Sequence, residues 1–93
     1  MPVTDRRPRN ETAAEIRGRL EALGARLLQA WSTGAGDEWA YYSLGGVAVV
    51  LQAYASGGAE VFTPITERQD LASLFFELQR LAQRDAIRNA FDV

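Results

Sequence analysis

Asp37-Glu38, Glu60, Glu67 and Asp70 are the side chains that could move a proton or hold a hard cation. Paired carboxylates serve as acid and base, and carboxylate oxygens ligate calcium or magnesium. Their spacing supports neither use: there is no D-x-D-x-D-G loop, no H-E-x-x-H and no pair of acids set in an apolar run. Ordinary turn residues and helix starts account for them. Ser32, Ser43, Ser56 and Ser73 supply hydroxyls, but none lies in a G-x-S-x-G elbow. The chain has no His, no Cys and no Lys, so its ten basic residues are all Arg. That composition removes the usual general base, the best nucleophile, the Schiff-base amine and the soft metal ligands. The pairs Gly45-Gly46 and Gly57-Gly58 match no phosphate-binding loop. A non-enzyme with no metal and no cofactor is the expectation.

Binding chemistry is better represented. Residues 1–26 carry six Arg against four acids, residues 27–79 carry only Arg68 against six, and residues 80–93 carry three Arg against two. The middle of the chain is therefore acidic within a protein of net charge −2. It also holds Trp39, Tyr41 and Tyr42 beside Asp37, Glu38 and Glu60. These six residues form a candidate partner-binding surface, because interfaces favour Tyr and Trp and opposite charge speeds encounter with a basic protein. Arg6, Arg7 and Arg9 form a second candidate, an arm that could touch nucleic-acid phosphates. Nucleic-acid binding is the alternative to protein binding, and the acidic balance of the whole chain weighs against it.

The elements that position these residues follow from periodicity. Residues 1–10, with two prolines and three arginines, read as a flexible arm, and 11–93 as a single α+β domain. Thr12 and Glu15 read as a capping box opening a helix over 12–32, with Ile16, Leu20, Leu23, Leu27, Leu28 and Trp31 on one face. The Ser32–Gly36 run ends it. Residues 38–65 are rich in Val, Tyr, Trp and Phe and predict strands over 38–44, 47–55 and 59–65. Gly45-Gly46 makes a hairpin turn between the first two, or a bend within one long strand. In the middle strand, Val47, Val49, Leu51 and Ala53 face one way and Ala48, Val50, Gln52 and Tyr54 the other. Neither set is strongly polar, so both faces are expected to be covered at least in part. Thr66 and Gln69 read as the cap of a last helix, whose apolar stripe is Leu71, Leu74, Phe75, Leu78, Leu81 and Ala82.

The predicted fold is thus a two- to three-stranded antiparallel meander packed by an N-terminal and a C-terminal amphipathic helix, α-β-β-(β)-α. The expected function is a small protein-binding module, an adaptor or inhibitor, with a homodimer or heterocomplex as its state. Leu28, Phe75 and Phe91 are the candidates for a subunit contact. All-Arg usage fits a GC-rich genome of bacterial or phage origin. A small acidic domain of this kind suits a mobile-element inhibitor of nucleic-acid-handling machinery, such as an anti-CRISPR or anti-restriction factor. Trp39–Ala59 has 21 residues without a charge, but its glycine pairs, Gln52 and tyrosines make it too dilute for a membrane span. A cytoplasmic location, with no membrane contact, is expected.

Overall fold

The computed structural model describes residues 10–91, with side chains through Arg84. Arg6, Arg7 and Arg9 of the arm, and the side chain of Phe91, lie outside the described residues. The element order is α1 (Glu11–Ala22), β1 (Arg26–Ser32), β2 (Glu38–Leu44), β3 (Val47–Ala53), β4 (Ala59–Phe62) and α2 (Gln69–Phe91). The four strands form one antiparallel sheet in the order β1-β2-β3-β4. The α+β class and the meander are as expected; the sheet has one strand more.

That extra strand comes from the second half of the predicted 12–32 helix. Leu23 caps α1, and Gly24 takes a left-handed φ of 83° that residues with a Cβ rarely adopt. Gly24 N–H then donates to Glu21 O and Ala25 N–H to Leu20 O, the paired bonds that close a helix on a C′ glycine. Downstream, Leu27, Leu28 and Trp31 have helical spacing, yet cross-strand pairing wins. Trp31 lies opposite Trp39 on β2 and makes ring contacts there that an isolated helix would not offer.

The start of α1 also differs from the Thr12 capping box. Asn10 is the N-cap: its Oδ1 accepts from Ala13 N–H at 3.0 Å. Its Nδ2 donates to Tyr54 O at 3.0 Å and to Gly58 O at 2.7 Å, fastening the helix start to the β3–β4 turn. Asn10, read as the last residue of the arm, is therefore an anchor. Thr12 lies inside the helix and is buried. At the other helix, Thr66 sits ahead of the cap and accepts from Arg68 N–H, while Ala72 N–H donates to Arg68 O.

Both helices lie on one side of the sheet, as the two-layer expectation requires. Ile16 and Leu20 of α1 and Leu71, Phe75 and Leu78 of α2 meet Tyr42, Leu44, Val49, Leu51 and Val61 in a single core. Phe75 is only 4% exposed, so it is a core residue and not a subunit contact. Two ion pairs tie the helices together outside the core, Arg19–Glu77 at 2.9 Å and Arg84–Glu15 at 2.8 Å. Gly45 and Gly46 have φ of 60° and 81°, the two left-handed residues of a tight hairpin turn. Arg68 donates to Gly45 O at 3.0 Å and so docks that turn at the start of α2. No helix is long and apolar enough to cross a membrane among the described residues.

Candidate functional site

Strand alternation sends every second side chain away from the helices. Register places Trp31, Trp39, Gln52 and Glu60 in one row across the sheet, and Tyr41, Val50 and Phe62 in the next. No element of the described chain covers these rows. The two faces of β3 are covered to different degrees: Val49, Leu51 and Ala53 are buried, whereas on the other face Val50 and Gln52 are half-buried and Ala48 is exposed. The two helices suffice for one face only.

The aromatic residues on this open face touch one another. The Trp31 and Trp39 rings are parallel within 5° with centroids 6.1 Å apart. Tyr41 meets Trp31 edge-on at 5.0 Å, and Phe62 stacks on Trp39 at 6.1 Å. Such pairs contribute about 0.5–1.5 kcal/mol each beyond their burial, so the rings hold one another in place before anything binds. Trp31, Tyr41 and Phe62 remain 37%, 40% and 45% exposed. A connected aromatic surface of this kind marks an interaction site more often than an isolated exposed ring does.

One end of the face is acidic. Glu60 closes the Trp31–Trp39–Gln52 row, and the Tyr54 hydroxyl donates to Gln52 Oε1 at 3.3 Å. Burial raises the Tyr54 pKa above its ordinary value, and the nearby Glu60 and Asp37 carboxylates raise it further. Tyr54 thus stays neutral between two carboxylates. Asp37 accepts from Ala55 N–H at 2.8 Å, which joins the β1–β2 and β3–β4 connections. Arg26, opposite Ser43 at the far corner, is the one cation that register places toward this side among the described residues.

The fold divides the six acidic and aromatic candidates. Asp37, Trp39, Tyr41 and Glu60 are brought together on the open face. Glu38 and Tyr42 alternate to the helix side, where Glu38 pairs with Arg17 at 2.9 Å and Tyr42 is 3% exposed in the core. Trp31 and Phe62 join the face without having been singled out. Phe62 sits two residues from Glu60 in a predicted strand, so alternation alone could have placed it. Trp31 was hidden by its helical spacing.

Among the described residues no group of three or more His, Cys, Asp or Glu could hold a metal ion. Glu67 has no ion pair among them, and Asp70 is exposed with its pKa lowered, first by the hydrogen bond from Arg68. A surface depression of about 470 Å³ along α2 is lined by Phe76, Arg80 and Leu81 together with Glu77 and Arg84, whose charges are already paired. A second, of about 370 Å³, lies between α1 and β1 and is lined by Arg17, Glu21, Leu27, Ala30 and Tyr42 among others. Compared with known protein families, curated proteins and solved structures, the chain matches none.

Proposed function

We propose that this protein is a small non-catalytic interaction module, an adaptor or inhibitor, that docks a partner protein on the helix-free face of its sheet. The observation that carries the reading is the contact chain Phe62–Trp39–Trp31–Tyr41, partly exposed and bordered by Asp37 and Glu60. Stacked rings supply large, rigid apolar contact, and the carboxylates favour approach of a basic surface. The same acidic border disfavours a nucleic acid on this face, because phosphates would meet like charge.

A tagged full-length chain drawn from the native host lysate, with and without nuclease, tests this. One protein recovered at near-stoichiometric amount in both arms, and lost with Trp39→Ala, is the expected result. Recovery that collapses on nuclease treatment, and on deletion of residues 1–9, would replace the reading with nucleic-acid binding through Arg6, Arg7 and Arg9.

A further inference from the structure

We infer that β1 is the seam of a symmetric homodimer, in which a second copy lays its own β1 antiparallel against Arg26–Ser32 and extends the sheet to eight strands. All seven residues of β1 are exposed. The strand lies at the sheet edge, so alternate backbone N–H and C=O groups point away from β2 with no strand among the described residues to take them. Neither helix packs on it closely: α2 covers β4 and α1 reaches β3, leaving the open groove between α1 and the inner side of β1. Yet the strand is apolar, with Leu27 53% and Leu28 59% exposed, and Leu23 just ahead of it 40% exposed.

The opposite edge shows what a protected strand looks like in this fold. There β4 has four residues, its Ala59 and Val61 are buried, and Pro64 follows it closely. Short length and proline are devices that keep a sheet edge from pairing. Of the usual devices β1 has two, a charge at its first residue, Arg26, and a bulge between Leu27 and Gln29. Beyond it, Gln29, Ala30, Trp31 and Ser32 pair one-to-one with β2, so a regular four-residue edge stays available.

Charge and area identify the occupant as a second copy. Arg26 has no ion pair among the described residues and opens the strand; Asp37 stands near its other end, where Thr33 N–H donates to Asp37 O, while Glu38 is already paired with Arg17 on the helix side. An antiparallel two-fold sets each Arg26 toward the other copy's acidic turn, and does so twice. At roughly 150–250 Å² per large side chain, the exposed parts of Leu23, Leu27, Leu28 and Trp31 amount to on the order of 400 Å². That is close to the apolar share of the roughly 800 Å² per partner in a standard interface. Edge pairing takes up the outer part of Trp31 but leaves Trp39, Tyr41 and Phe62 open, so the dimer is tested at Leu28 and Arg26 and the partner-binding face at Trp39.

Sedimentation velocity of the full chain from about 1 µM to about 1 mM, the range of weak to moderate association, tests it. A monomer–dimer equilibrium within that range is expected. Leu28→Lys and Arg26→Asp should each weaken it about tenfold or more, and Asp37→Arg added to Arg26→Asp should restore part of the loss. Leu28 is already exposed in the single chain, so its substitution leaves the fold intact, as circular dichroism would verify. A chain that stays monomeric throughout overturns the inference. So does a dimer indifferent to Leu28→Lys but abolished by Trp39→Ser, which would be a stack of the open faces.

Discussion

The indole of Trp31 lies parallel to that of Trp39, 5° off plane with centroids 6.1 Å apart, on the side of the sheet that carries no helix. The chain contains only these two tryptophans. Their pairing joins the edge strand to β2 and builds half of the exposed aromatic surface, so one contact serves both fold and proposed site. Trp31→Phe should abolish the exciton-coupled circular dichroism of the pair. It should lower stability by about 0.5–1.5 kcal/mol, the strength of an aromatic pair, measured by urea unfolding.

The core should respond on a different scale. Leu51 is fully buried between β3 and the helices, and Leu51→Ala should cost about 2–5 kcal/mol through lost contacts and a residual cavity. Phe76, 63% exposed on α2, should tolerate Ala within about 0.5 kcal/mol. Equal losses from the two substitutions would mean that the helices pack otherwise than described.

Asn10 caps α1 through one hydrogen bond and ties it to the β3–β4 turn through two. Asn10→Ala should cost about 1–2 kcal/mol, the upper part of the range for an N-cap, because two turn carbonyls lose their donor as well. Asn10→Asp keeps the cap acceptor but cannot donate to Tyr54 O and Gly58 O. It should therefore recover only part of the loss in the same unfolding assay.

The hairpin glycines should differ from each other. Gly46 has nothing within 4 Å of where a Cβ would sit, so Gly46→Asn, a residue tolerant of left-handed backbone, should be nearly neutral. At Gly45 a Cβ would come within 3.3 Å of Leu71 Cδ2 and 3.4 Å of an Arg68 nitrogen. Gly45→Ala should lower the melting temperature clearly more than Gly46→Asn.

Tyr42 makes the protein's stability depend on pH at the alkaline end. Burial raises its pKa above 10.0; the nearby Arg17 charge pulls it down, and Glu21 adds to the rise. The folded state thus holds this proton more tightly than the unfolded chain, so the contribution is fully present below pH 10.0 and is lost as pH rises toward the folded value. Tyr42→Phe should flatten that part of the stability-versus-pH curve.

Much of the fold was legible in the chain. Alternation in 38–62 and the stripe from Leu71 to Ala82 are strong because the same residues satisfy both local period and burial. Residues 26–32 were not legible as a strand, because Leu27, Leu28 and Trp31 repeat at helical spacing and only the positive φ of Gly24 ends the helix. The candidate face was half legible for the same reason. Asp37, Trp39, Tyr41 and Glu60 could be gathered from composition, but separating them from Glu38 and Tyr42 needed the strand register, and Trp31 needed β1 itself.

Because both tryptophans lie on the open face, acrylamide quenching of their fluorescence tests the central claim most directly. The full chain is measured free and then saturated with the partner protein recovered from lysate. Strong quenching in the free protein that falls severalfold on saturation is the predicted result. Quenching unchanged by a saturating partner would contradict it, and would place the contact elsewhere on the molecule.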